Sequence, residues 1–368
     1  MECNHNKMQT TNNTPSKRIE YIDALRGFTM ILVVFQHVAT FCWGITHKDV
    51  PSVHEYFMQI RMPMFFFISG FVLYKKDVDW NFSFVTKFLK KKFLIQIIPT
   101  IIFLLAFVHV CGFSLEACLT DGSKGGYWFT YTLFVYFLFY AILRFLCRKC
   151  NDKTFTIIII VVGLAFYVLK SGIVYDMIPI SEKIKGSLGI GKWYYFFFFI
   201  VGTLFRQNFD VVQKWLDGKR LILYCLVLYF VLNVYKDIIP TESTIGNLID
   251  FGVYFILSLT GLIILFAFFR TNQSLFTKDT KLGFSLQYIG RRTLDVYLIH
   301  YFLIPYQLSK SVHVFENYPM PIIEAVCSLM MALIIIAFCL LISNIIRLSP
   351  FLAHWLFGVK YKENGRKD

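Results

Sequence analysis

Three ionisable side chains lie inside apolar stretches of the sequence, where such groups are rare. Arg26 and His37 fall in the stretch near 24–45, and Arg61 falls near the start of the stretch at 57–74. A charged group in a lipid bilayer costs several kcal/mol, so each of the three is a candidate for function. Histidine is the one that titrates near neutral pH, which makes His37 the natural general base. Arginine keeps its charge and therefore needs an anionic or strongly polar partner.

The spacing of Arg26 and His37 would place both on one face of a helix. They are eleven residues apart, and eleven residues at about 100° each return to within roughly 20° of the starting direction. At about 1.5 Å per residue, the two lie roughly 16 Å apart along the helix axis. Two plainer interpretations remain open: His37 hydrogen-bonds to a neighbouring helix, and Arg26 reaches a lipid headgroup.

The elements that carry these residues are predicted to be membrane-spanning helices. Of the 368 residues, 57% are hydrophobic and only 16% are charged, whereas soluble domains average about 25% charged residues. Long apolar runs recur at the length that crosses roughly 30 Å of hydrocarbon. Strand-like alternation is absent, so we predict an all-α fold. We count ten spans, near 24–45, 57–74, 93–112, 127–147, 154–170, 193–205, 221–238, 247–269, 288–308 and 321–348.

Lysine and arginine are distributed unevenly between the segments that join these spans. If the N-terminus is cytoplasmic, the segments on that side carry 26 of the 37 basic residues, against eight on the opposite side. The positive-inside rule then predicts that both termini are cytoplasmic. We expect residues 1–20 to be a disordered N-terminus, 21–350 a single transmembrane domain and 351–368 a basic cytoplasmic tail.

The net charge of +14 would indicate nucleic-acid binding in a soluble protein. Here the charge lies in short segments between apolar runs, where it sets the topology and contacts anionic membrane lipids. We therefore expect no nucleic-acid partner. The nine cysteines form no regular framework, and the lone pair Cys147 and Cys150 lacks a second pair to complete a zinc site, so no metal is expected.

Four short motifs follow one another along the chain. The first runs from Tyr21 to His37, with ten residues between Arg26 and His37, and the second runs from Pro63 to Phe71. The third is Trp128-Phe129, and the fourth runs from Gly290 to His300. Together they resemble the bacterial acyltransferase 3 family, which comprises ten-helix membrane enzymes that acylate surface glycans. The resemblance covers about residues 20–350.

The resemblance implies an O-acyltransferase in the cell (inner) membrane. The donor substrate would be acetyl-CoA or another acyl-CoA, with no permanently bound cofactor, and the acceptor would be a hydroxyl of a cell-surface or lipid-linked glycan. His37 is then the general base, and Arg61 holds the acceptor or the carbonyl oxygen. Phosphates of the donor would be bound by Arg26, Lys91 and Lys92. Supporting or acceptor-binding roles would fall to Ser69, Trp128 and His300.

The sequence departs from the family before the third predicted span. The family usually places several arginines ahead of a proline there, whereas this chain has lysines 90–92 and then the neutral Gln96 before Pro99. On the fourth motif, we expect Asp295 to be a packing or hydrogen-bonding residue. A transporter or flippase for a glycan or a small polar substrate is the alternative function. Many transporters carry two repeated halves, whereas the polar residues here concentrate in the first three spans, which favours the enzyme.

Overall fold

The chain is helical wherever regular structure occurs in the described residues, as predicted for an all-α protein. The computed structural model describes residues 18–45, 52–236, 243–306 and 320–359, together with 308 and 315. Most of the expected disordered N-terminus therefore lies outside the described residues. The helices are α1 (Glu20–Trp43), α2 (Glu55–Leu73), α3 (Phe82–Lys92), a π-helical segment (Phe93–Ile97), α4 (Ile98–Cys111), α5 (Leu115–Thr120), α6 (Trp128–Leu146), α7 (Asp152–Val168), α8 (Gly172–Asp176), α9 (Glu182–Leu188), α10 (Phe196–Gln207), α11 (Phe209–Leu216), α12 (Lys219–Lys236), α13 (Thr244–Thr271), α14 (Lys281–Arg291), α15 (Thr293–Leu303), α16 (Pro321–Ile346) and α17 (Pro350–Phe357).

Several of these helices are suited to a bilayer. Six helical stretches of the described chain are long and apolar enough to cross a membrane, and the bent pair formed by α9 with residues 190–207 makes up to seven. Others are short: α7 has 17 residues and α15 has 11, whereas a perpendicular span needs about 20. The count of ten spans and the cytoplasmic placement of both termini remain predictions, as does the division into an N-terminus, one domain and a tail.

The first helix is the most enclosed of the six. In the most apolar 18-residue stretch of α1, 61% is buried inside the protein, against 28% in the corresponding stretch of α16. It packs against α2, α13, α14, α15 and α16. A helix surrounded on most sides can carry polar groups, because they meet protein rather than lipid. The position of α1 therefore explains how Arg26 and His37 are accommodated.

Two pairs of glycines hold α1 and α2 against their neighbours. A Cβ atom at Gly27 would lie 2.0 Å from a carbonyl oxygen of α14, and one at Gly290 would lie 1.9 Å from a carbonyl oxygen of α1. Gly70 of α2 and Gly202 of α10 exclude a side chain in the same way. Small residues allow membrane helices to approach to backbone contact. The helices that carry Arg26, His37 and Arg61 are thus fixed against the rest of the bundle.

The last described helix packs back onto the third predicted span. In α17, the ring of Phe357 stacks on Phe103 of α4 with centroids 6.2 Å apart. Gly358 follows with a left-handed φ of 62°, and a Cβ there would lie 2.6 Å from the backbone of Ile95. The first part of the segment expected as a tail, residues 351–357, therefore lies in a helix that packs against α4, and residues 360–368 lie outside the described residues.

Candidate active site

One cavity of about 890 Å³ brings most of the predicted site residues together. It follows α1 from Arg26 to His37 and is bounded by residues of α2, α3, the π-helical segment, α6 and α15. His300 is the one predicted site residue that does not line it, and it lies directly behind His37. The other seven line the cavity: Arg26, His37, Arg61, Ser69, Lys91, Lys92 and Trp128.

The cavity has two chemically different ends. Since Arg26 and His37 are separated by roughly 16 Å along α1, we name the ends after them. The basic end consists of Arg26, Lys87, Lys91, Lys92 and Arg291, and the histidine end of His37, Arg61 and Tyr301.

The lining is strongly cationic. Among its described residues are eight lysines and arginines and one carboxylate, that of Asp295. Asp295 is already occupied, because it accepts hydrogen bonds from Arg347 Nη2 at 2.7 Å and from Ser343 Oγ at 2.5 Å. The expected hydrogen-bonding role of Asp295 is therefore confirmed. A concave surface with one sign of charge concentrates ligands of the opposite sign, so the basic end suits a polyanion.

Helix α3 delivers the lysines of the basic end. Its N-terminus is capped by Asn81, whose side chain accepts a hydrogen bond from the Phe84 amide at 2.9 Å. Lysines 90–92 form its last turn, where cations are favoured by the helix dipole. The Lys92 ammonium lies 3.8 Å from the centroid of the Phe137 ring, a cation–π contact. No described carboxylate pairs with Arg26, Lys91 or Lys92.

At the histidine end, two imidazoles from distant parts of the chain meet. His37 Nδ1 lies 2.9 Å from His300 Nε2, and the two ring planes differ by 5°. His300 is completely buried. Its Nδ1 lies 2.8 Å from the carbonyl oxygen of Tyr297 and 3.0 Å from that of Val296, both in the preceding turn of α15.

These contacts specify where the protons are. A carbonyl oxygen can only accept, so Nδ1 of His300 carries a hydrogen. A fully buried imidazole with no carboxylate partner in the described chain is favoured in its neutral form, and Nε2 of His300 then has a free lone pair. His37 Nδ1 must donate to that lone pair. His37 is thereby held as the tautomer whose Nε2 is unprotonated, which is the form a general base requires.

The hydroxyl of Tyr301 lies beside that basic nitrogen. Its Oη lies 3.4 Å from His37 Nε2 and 3.4 Å from the carbonyl oxygen of Gly126. The same carbonyl accepts a hydrogen bond from Tyr297 Oη at 2.9 Å. Gly126 has a φ of 97°, and a Cβ atom there would lie 2.4 Å from the Tyr301 ring. Only glycine fits this turn without displacing the tyrosine.

Lys124 stabilises the turn that precedes Gly126. Its ammonium donates to the carbonyl oxygens of Leu119 and Gly186 at 2.8 Å each and of Ser187 at 3.0 Å. Burial lowers the pKa of Lys124 from its usual value. The contacts join the connection before α6 to the C-terminal turns of α5 and α9, which fixes the backbone that leads to Gly126 and Tyr301.

Arg61 supplies a cation that has no counter-ion among the described residues. Its guanidinium lines the cavity, and its Nε atom is buried with no hydrogen-bond partner in the described structure. Burying such a donor unpaired costs about 1–3 kcal/mol, and more when the group is charged. Two residues later, Pro63 lies inside α2 and removes one backbone hydrogen bond of the helix. A buried, unpaired guanidinium that lines a cavity is typical of a side chain that binds a polar ligand.

Ser69 and Trp128 line the cavity away from the imidazoles. The Ser69 hydroxyl donates to the Phe65 carbonyl oxygen at 2.8 Å within its own helix. The Trp128 ring stacks on Tyr195 with centroids 5.9 Å apart, and the Lys192 ammonium lies 5.0 Å from it. Neither contact assigns a catalytic role, and the supporting roles expected for both residues remain predictions.

Four residues of the site were not predicted from the sequence: Tyr301, Gly126, Arg291 and Arg347. The two arginines stand at helix ends, where a cation has an ordinary explanation in membrane topology. Tyr301 directly follows His300, and neighbours in sequence point in different directions on a helix. A usable signal existed at Gly126, because consecutive glycines before Trp128 indicate left-handed backbone.

A match to a known protein family shows where the chain belongs. The model of the acyltransferase 3 family, described as an acyltransferase domain, matches residues 19–343. No curated protein and no solved structure shows significant similarity to the chain. The matched range contains every residue of the cavity wall discussed here except Arg347 and the contacts of α17. The resemblance inferred from the four motifs is confirmed, and the chain belongs to the acyltransferase 3 family of multi-pass membrane acyltransferases.

Proposed function

We propose that the protein transfers an acyl group, most often acetyl, from acyl-CoA to a hydroxyl of a cell-surface or lipid-linked glycan in the cell membrane. The observation that carries the proposal is the placement of an oriented imidazole at one end of a cavity whose other end is basic. An acyl donor with anionic phosphates at one extremity and a thioester at the other matches both ends at once.

The donor would lie along α1. Its phosphates contact Arg26, Lys91 and Lys92, which have no carboxylate partner among the described residues. The pantetheine arm is an extended chain comparable in length with the roughly 16 Å between Arg26 and His37. Its thioester therefore reaches the histidine end, where a base is available.

The chemical step follows from the proton positions. His37 Nε2 takes the proton of the acceptor hydroxyl while the hydroxyl oxygen forms a bond to the thioester carbon. Negative charge develops on the carbonyl oxygen, and Arg61 supplies the nearby positive charge that stabilises it. The carbon–sulfur bond then breaks, and the departing thiolate receives the proton held on His37. His300 keeps the imidazolium in place by accepting from Nδ1 throughout.

The transporter alternative accounts for less of the site. A flippase needs polar groups along a path for its cargo, but it does not need an imidazole whose tautomer is set by a second buried imidazole. The His37–His300 contact favours acyl transfer because it prepares a lone pair for proton abstraction.

The direct test is acyl transfer by the purified protein in nanodiscs. We expect acetyl-CoA to release free CoA thiol when a lipid-linked glycan is added, with O-acetyl ester appearing on the glycan in equal amount. Cells that lack the protein should lose the corresponding O-acetyl groups from their surface glycan. Transport of the glycan across the bilayer without any ester formation would contradict the proposal.

A further inference from the structure

The polar group of Gln96 has no partner in the described structure, although it faces the cavity. Gln96 lies in the π-helical segment between α3 and α4 and lines the cavity wall. Its Oε1 atom is buried without a hydrogen-bond partner. Buried polar atoms are nearly always paired, and leaving one unpaired destabilises the folded protein. The cost is recovered if a ligand supplies the missing donor.

Two further observations favour a ligand over a packing defect. Of the buried unpaired side-chain atoms in the described chain, only Gln96 Oε1 and Arg61 Nε belong to residues that line this cavity. Single π-helical turns within α-helices are often found at functional sites, because the wider turn redirects a side chain. Here the wide turn contains the residue with the unpaired atom.

The depth of Gln96 identifies the part of the ligand that it meets. It follows Lys92 by four residues, which is about one helical turn or roughly 6 Å towards the histidine end. The Thr100 hydroxyl, one turn further, is already paired with the Gln96 carbonyl at 2.7 Å and with Thr130 at 2.8 Å. Gln96 therefore offers the free polar group between the phosphate-binding cations and the base.

We propose that Gln96 recognises an amide of the pantetheine arm, with Oε1 accepting the amide N–H and Nε2 available to the amide carbonyl. A carboxamide presents a donor and an acceptor side by side, as a secondary amide does. The inference rests on the proposed use of an acyl-CoA donor and names the residue that reads the central part of that donor. A phosphate would be recognised poorly, because the unpaired Gln96 Oε1 cannot donate a hydrogen bond to it.

The test combines a variant with altered donors. Gln96→Met keeps the length of the side chain and removes its hydrogen bonds, and we expect KM for acetyl-CoA to rise about five- to tenfold, as the loss of about 1–1.5 kcal/mol implies. S-acetylpantetheine has both amides and lacks the nucleotide. Its KM should rise by the same factor in Gln96→Met. Asn233→Leu is the matched control, because Asn233 Oδ1 is also buried and unpaired in the described structure but lies outside the cavity.

Donor analogues keep the proposal testable if Gln96→Met folds poorly. In each of two S-acetylpantetheine analogues, one amide nitrogen is replaced by an ester oxygen, and both are assayed with the wild-type protein. One analogue should bind about five- to tenfold more weakly than the parent, and the loss should vanish in Gln96→Met, as a double-mutant cycle requires. The assignment would be overturned if both analogues bound the wild-type protein as tightly as the parent compound. It would also be overturned if Gln96→Met raised KM for acetyl-CoA but not for S-acetylpantetheine. A wild-type protein that does not use acyl-CoA at all would instead overturn the proposed function.

Discussion

At the basic end of the cavity, Lys87, Lys91 and Lys92 come from one short helix, α3, whereas at the histidine end each group comes from a different helix. His37 belongs to α1, Arg61 to α2 and Tyr301 to α15. The cations act as point charges whose neighbours can replace them. The tautomer of the His37 imidazole depends on the hydrogen bond of 2.9 Å between its Nδ1 and His300. Redundant charge should therefore tolerate substitution, and a unique proton-transfer geometry should not.

The largest expected effect is at His37. Both His37→Ala and His37→Gln should reduce acyl transfer by about 100- to 10,000-fold, because neither retains a titrating base. Binding of acyl-CoA should persist, and the measurement is turnover per folded, detergent-solubilised molecule. His109→Gln is the control, since His109 is exposed and does not line the cavity. Wild-type turnover in His37→Gln would remove His37 from the mechanism.

A smaller loss is expected when the orientation of His37 is disturbed. His300→Leu leaves the His37 Nδ1 hydrogen without an acceptor, which costs about 1–3 kcal/mol and corresponds to roughly 5- to 150-fold in kcat. KM for acyl-CoA should stay unchanged, because His300 does not line the cavity. His300→Gln retains an acceptor oxygen and should recover part of kcat. If both variants are equally impaired although each is folded, His300 does not act through the tautomer of His37.

At the basic end, Arg26 should matter most. Arg26→Ala is expected to raise KM for acetyl-CoA about tenfold while kcat changes little, since a charge-assisted hydrogen bond is worth about 1.5–3 kcal/mol before solvent screening. S-acetylpantetheine carries no phosphates of the nucleotide and should be used equally well by the variant and the wild type. Arg148→Ala serves as the control, because Arg148 lies outside the cavity. Equal loss with both donors would place the phosphates elsewhere.

The mildest effect is expected from the lysines. Lys91→Ala and Lys92→Ala should each raise KM for acetyl-CoA about two- to fivefold, in keeping with about 0.5–1 kcal/mol for a partly exposed charge. Raising the salt concentration should reduce that difference, since the Debye length shortens from about 10 Å at 0.1 M to about 3 Å at 1 M. Lys149→Ala and Lys153→Ala are matched controls outside the cavity. A kcat effect as large as that of His37→Ala would show that the ends are not functionally separate.

Prediction from sequence succeeded where the signal was local. Arg26 and His37 lie on one face because both belong to one helix, and the lysines of α3 are consecutive. The helical fold class followed from the long apolar runs. In lipid, backbone N–H and C=O groups must pair within the protein, and a chain without the alternating pattern of a β-barrel can do this only as helices. The partners of these residues could not be predicted, because His37 and His300 are 263 positions apart. No periodicity relates groups at that distance.

The sequence by itself determined that this is a membrane protein, that it is helical and that it belongs to its family. It also identified the polar residues that had to be kept away from lipid. The tertiary structure decided what shelters them. The glycine contacts of Gly27 with α14 and of Gly70 with α10 fix the helices that carry Arg26, His37 and Arg61. The carbonyl groups of α15 accept a hydrogen bond from His300 and so place its hydrogen on Nδ1. His300 Nε2 then accepts from His37, which places the hydrogen of His37 on Nδ1 as well. Hydrogen-bond direction depends on which atoms meet in space, and that information exists only after the helices have packed.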